Sequence, residues 1–87
     1  MKKYVFDEYS DKMGYGDTRF FDNQKEAVEY AADAWERLTA SDKALYLTAS
    51  QFRVFAIECT PEEFEQIKDG DLCEDDFWIA DIWDALN

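Results

Sequence analysis

The spacing of apolar residues changes several times along the chain, and each change marks an element. Residues 3–9, KYVFDEY, are aromatic and β-branched. They alternate with period two, Tyr4 and Phe6 pointing one way and Val5 the other, which predicts a strand. Ser10 to Asp17 reads as a loop in which Gly14 and Gly16 supply permissive backbone. Thr18 to Phe21 reads as the returning strand, so the chain is expected to open with a β-hairpin on a longish loop.

The period then becomes helical. Asn23 can cap, and Glu26 three residues later completes a pair like a capping box. Ala27, Val28, Ala31, Ala34, Trp35 and Leu38 fall on one stripe. Lys25, Glu29, Asp33, Glu36 and Arg37 take the opposite face. Lys25/Glu29 and Asp33/Arg37 are spaced for i,i+4 ion pairs worth roughly 0.2–0.5 kcal/mol each. Thr39 with Asp42 predicts a second cap and a short helical turn running on to Tyr46. Residues 51–58, QFRVFAIE, are the strongest strand, with Phe52, Val54 and Ala56 on one face and Phe55 and Ile57 on the other. Apolar residues on both faces predict a central strand covered on both sides.

Thr60-Pro61-Glu62-Glu63 is a helix start: Thr60 caps, Pro61 fits the first helical position and Glu63 closes the box. Phe64 and Ile67 form the inner edge of this helix and Gly70 ends it. Trp78, Ile79, Ile82, Trp83 and Leu86 recur at i, i+1, i+4, i+5 and i+8, which predicts a last helix. Asp75 and Asp76 would suit its N-terminus through the dipole. The same FWIADIW segment is rich enough in aromatics and Ile to form a strand; helix is the expectation. The order β-β-α-(α)-β-α-α gives an α+β fold: a small antiparallel sheet of about three strands, with helices packed on it and an acidic, helical C-terminal third.

Composition narrows what such a domain does. The 87 residues suffice for one domain and one core. There are 9 basic and 21 acidic residues, for a formal net charge of -12. Residues 1–57 carry 10 acids and 8 bases, whereas residues 58–87 carry 11 acids and one base, Lys68. This balance disfavours direct binding to nucleic acid or to an anionic membrane, both of which need clustered Lys and Arg. No apolar run is long enough to span a bilayer. Met1-Lys2-Lys3 is followed by acids and not by an apolar segment, so no export leader is read and a cytoplasmic location is expected.

The chain has no histidine, which removes Ser-His-Asp and Cys-His nucleophile pairs; a non-enzymatic role without cofactor is expected. Cys59 and Cys73 read as two reduced thiols and fall short of a zinc ligand set. In DGDLCEDD, Asp69, Asp71 and Asp75 fall at positions 1, 3 and 7 of an EF-hand loop. Cys73 stands at position 5, Glu74 replaces the glycine at 6 and Ala80 stands where the bidentate Glu belongs, so a calcium loop is not expected.

Arg19 to Tyr46, followed by FRVFAIE, resembles small uncharacterised proteins of bacterial mobile elements and phages. The shared pattern is a hairpin, then F-D-x-x-x-E-A-x-x-Y-A-x-x-x-W-x-x-L-T, then a strand, and it covers roughly residues 4–58. The resemblance implies a context in which small acidic proteins act as anti-CRISPR-like antagonists or inhibit host nucleic-acid enzymes.

The candidate contact residues lie in the C-terminal third. Glu62, Glu63, Glu65, Asp69, Asp71, Glu74, Asp75 and Asp76 are dense enough in sequence to imitate part of a nucleic-acid charge array. Trp78 and Trp83 read as core cover for the sheet or, if the tail does not dock, as an aromatic anchor among acids. The expected function is a non-enzymatic inhibitor that occupies a basic protein surface as a nucleic-acid mimic. The alternative is an accessory interaction module or homodimer, built on the aromatic C-terminal helix or an open strand edge.

Overall fold

The computed structural model describes residues 1–12, 14–46 and 50–86. Four strands, β1 (Lys2–Ser10), β2 (Tyr15–Phe21), β3 (Gln51–Glu58) and β4 (Trp78–Asp84), form one sheet in the order β2-β1-β3-β4. Every neighbouring pair is antiparallel. Among the described residues three helices accompany the sheet, α1 (Gln24–Glu36), α2 (Ala40–Lys43) and α3 (Pro61–Lys68), with a 3-10 turn over Glu74–Phe77.

The helix starts follow their caps. Asn23 Oδ1 accepts from the Glu26 N–H at 2.8 Å, and Thr39 Oγ1 from the Asp42 N–H at 3.1 Å. At α3 both halves of the capping box form: Thr60 Oγ1 accepts from the Glu63 N–H, and Glu63 Oε1 accepts from the Thr60 N–H. In β2, a side chain at Gly16 would collide with the Glu8 carbonyl, so the close approach to β1 requires glycine there.

The strand β3 is the centre of the molecule. Phe52, Val54, Phe55, Ala56 and Ile57 are all buried. On one face Phe6, Phe52 and Val54 pack against Ala27 and Ala31 of α1, whose small side chains let the helix approach closely. Trp35, Tyr46 and Trp83 close over Phe52 from three sides. On the other face Val5, Phe55 and Ile57 pack against Phe64 and Ile67 of α3, with Leu72, Phe77 and Trp78 at the margin. The sheet is thus the middle layer between α1 and the α3 segment.

The C-terminal third departs from expectation. It is not an acidic helical segment: after α3 the chain makes a 3-10 turn and then β4, and the sheet has four strands instead of about three. The cause lies in β3. A strand buried on both faces still has backbone groups along two edges, and β1 satisfies only one of them. The aromatic and branched residues of WIADIWD fit a pleated surface and satisfy the other. The apparent helical stripe is a product of two register shifts, in which pairing with β3 passes over Ile79 and Ile82. Trp78 then joins the core on the α3 side and Trp83 the core on the α1 side.

Candidate functional site

The acidic residues are carried by a segment that apolar side chains pin to one sheet face. Phe64 and Ile67 anchor α3, Leu72 anchors the loop, and Phe77 and Trp78 anchor the turn into β4. Between these anchors the polar positions face outward. Gly70, at φ 86°, ends the helix, and the Asp71 and Leu72 N–H groups donate back to the Gln66 carbonyl at 2.9 and 3.2 Å. From Thr60 to Phe77 this layer carries eight carboxylates and a single lysine.

The eight are not equivalent. Glu63 is spent on the cap of α3. Glu65 pairs with Lys68 at 2.8 Å along the helix. Asp75 lies 4.0 Å from the Arg53 guanidinium, and Glu74 is half-buried beside the same cluster. Glu62, Asp69, Asp71 and Asp76 are exposed and, among the described residues, have no cation within ion-pair distance. The structure therefore brings all eight predicted acids onto one layer, and four of them present charge without internal compensation.

Trp78 and Trp83 are not part of an aromatic helix. Both are half-buried on their own sheet, Trp78 stacked on Phe55 and Trp83 edge-on to Phe52 at 6.3 Å. A cleft of about 520 Å³ runs beside them at the β3–β4 edge, lined by Arg53, Trp78, Asp81, Ile82, Trp83 and Asp84.

Sequence reasoning missed the polar cluster beneath the acidic layer. Asp7 of β1 stands directly opposite Arg53 of β3, and their side chains meet at 3.2 Å. Burial pushes the Asp7 carboxyl above its ordinary range; Arg53 opposes the rise, and Glu74 and Asp75 add to it. On the other sheet face Glu8 is also raised by burial, although it accepts a hydrogen bond from the Tyr46 hydroxyl at 3.2 Å. A signal for the pair was present: Arg53 is charged within a strand apolar on both faces, and Asp7 shares the Val5 side of β1. A charge at such a position needs a partner across the sheet.

Cys59 is buried and its thiol is raised chiefly by that burial, while Cys73 is exposed; neither is in a disulfide. Among the described residues no group of three or more Cys, Asp or Glu is placed to hold a metal ion, and no helix is long and apolar enough to cross a membrane. No family model, curated protein or solved structure matches the chain.

Proposed function

We propose that this chain is a non-enzymatic binding protein that occupies a basic protein surface with the carboxylates of α3 and the loop that follows, as a nucleic-acid mimic does. One observation carries the reading: a single apolar-anchored segment holds eight carboxylates and one lysine over one face of the sheet. A pinned layer of this kind presents its charges with little ordering cost on binding. The complementary partner is a groove built for phosphates, as in a nucleic-acid enzyme or a nucleic-acid-guided defence complex, and inhibition follows from occupying it. Such contacts release condensed ions and weaken steeply as salt screens them. The aromatic rings of Trp78 and Trp83 serve the fold in this reading and the charge serves the contact.

The test uses the four acids that have no internal partner. Glu62→Gln, Asp69→Asn, Asp71→Asn and Asp76→Asn together leave the α3 cap, the Glu65–Lys68 pair and the Arg53 cluster in place. Tagged wild-type chain is expected to retain a nucleic-acid-binding protein from bacterial lysate at low salt, to shed it at high salt, and to lose it to added duplex DNA. The fourfold variant is expected to retain none. Retention by the variant equal to wild type, or retention that high salt and duplex DNA leave unchanged, refutes the reading.

A further inference from the structure

The two edges of the sheet are built differently. At β4 the pairing with β3 is broken twice and Asp81 and Asp84 sit on the strand, devices that discourage another strand from adding. At β2 the register with β1 runs without a shift from Tyr15↔Ser10 to Phe21↔Tyr4, and the outer side of the strand has no neighbour among the described residues. We infer that a second copy of this chain pairs antiparallel along β2, on a two-fold axis through Thr18, to make a homodimer with one continuous sheet.

The strand is complementary to itself in that register. A two-fold axis perpendicular to the sheet keeps like faces together, so residues that meet across it differ by an even number of positions. Centred on Thr18, the pairing sets Asp17 against Arg19 of the second copy, Arg19 against its Asp17, and Thr18 against Thr18. Phe20 meets Gly16. Opposite charges and Thr–Thr pairs are cross-strand combinations that favour antiparallel pairing. The adjacent centres fail: one on Asp17 sets aspartate against aspartate, and one on Arg19 sets arginine against arginine.

The charged groups lie at this edge: Arg19 Nε donates to Asp17 Oδ2 at 3.2 Å, the guanidinium lies 5.3 Å from the Tyr30 ring, and both side chains remain about half exposed. Asp17 Oδ1 accepts from the Thr18 N–H at 3.0 Å, a bond that pairing exchanges for contacts with the second copy. Pairing turns one internal ion pair per chain into a network of four charges. The same axis places both α3 layers on one side of the joined sheet, so the dimer presents two acidic surfaces in the same direction.

Sedimentation equilibrium of the full chain tests this and reads mass alone, so its outcome is independent of the acidic layer. Wild type is expected to show a monomer–dimer equilibrium. Asp17→Arg and Arg19→Asp are each expected to weaken it about tenfold, because each sets like charges opposite one another twice. The double swap Asp17→Arg/Arg19→Asp is expected to restore it. As a second measurement, Thr18→Cys in a Cys73→Ser background is expected to give a covalent dimer with a short bis-maleimide. A monomeric wild type, single swaps that leave the dimer unchanged, a double swap that fails to restore it, or absence of the Thr18→Cys cross-link overturns the inference.

Discussion

Trp78 lies flat on Phe55, with ring centroids 4.0 Å apart and planes 5° from parallel. The Arg53 guanidinium covers the indole from 4.7 Å. This stack fastens the first residue of an edge strand to the middle of the sheet, just where the register with β3 is about to break. Offset aromatic pairs contribute beyond their buried area, and a cation over an indole adds to that. Trp78→Ala is expected to destabilise the fold by about 2–4 kcal/mol, below the full core value because the ring is only half-buried. The urea midpoint should fall with little change in slope. Trp78→Phe should keep most of the stability; a Phe variant as weak as the Ala one would mean that the stack is not what holds β4.

Among the described residues, Arg53 and Asp7 form the one charged pair set well into the sheet, with side chains 22% and 15% exposed. The Arg53 Nε is buried with no hydrogen-bond partner among the described atoms, so the guanidinium is not fully repaid for its desolvation. Removing one partner leaves the other charge stranded. Arg53→Met is expected to cost about 2–4 kcal/mol at neutral pH, and Asp7→Leu less, because burial already disfavours the Asp7 charge. The double variant Arg53→Met/Asp7→Leu should recover most of either loss, since an apolar pair suits neighbours such as Phe55 and Trp78. A double-mutant cycle from urea melts measures this; additive losses would show that the pair does not act as a unit.

Most of the fold is legible residue by residue. Asn23, Thr39 and Thr60 cap the helices that their sequence contexts announce. The alternation in β3 places Phe52 and Val54 toward α1, and Phe55 and Ile57 toward α3. The error at Trp78–Asp84 has a specific origin. Two bulges shift the apolar positions, so that Trp78, Ile82 and Trp83 fall at spacings that also suit a helix. Local spacing cannot show that β3 still lacks a neighbour; the need for a fourth strand is a property of the assembled sheet. The acids are legible as a group, but their ranking is not. Glu63 being consumed by the cap follows from sequence, whereas Asp75 and Glu74 lying over Arg53 follows only from how the 3-10 turn docks.

The two thiols should separate cleanly by reactivity. Cys59 is 5% exposed, and burial, with smaller effects from Glu63 and Glu58, disfavours its thiolate. Cys73 is exposed at the start of the 3-10 turn. Titration of the native protein with a chromogenic disulfide should report one prompt thiol, with the second appearing only on unfolding. Cys73→Ser should abolish the prompt phase and leave the slow one. Two prompt thiols in the wild type would place Cys59 in a segment that opens far more readily than the core around Phe64 and Ile67.

The dependence of stability on pH should run opposite to ordinary acid denaturation over part of its range. Asp7 and Glu8 are both raised by burial above their ordinary values of 3.8 and 4.5, with opposing contributions from Arg53 and from the Tyr46 hydroxyl. A carboxyl raised on folding holds its proton to higher pH in the native chain than in the unfolded one. Its contribution is therefore full below the unfolded value and is lost as pH rises through the folded value. The formal net charge of -12 acts in the same direction, since protonating carboxylates relieves self-repulsion. Asp22 acts the other way: Lys3, through its hydrogen bond and its charge, lowers its carboxyl, so that contribution is lost as pH falls, and full exposure keeps it small. The urea midpoint should rise as pH is lowered from neutral toward the ordinary carboxyl values, with Asp22 opposing the rise only weakly. Because self-repulsion and the two buried carboxyls have the same sign, a variant must separate them. Asp7→Asn/Glu8→Gln keeps the shapes and removes the titration, so it should flatten the rise more than an exposed pair such as Asp69→Asn/Asp71→Asn, which changes net charge equally. Equal flattening by the two pairs would assign the whole effect to net charge and remove Asp7 and Glu8 as its source.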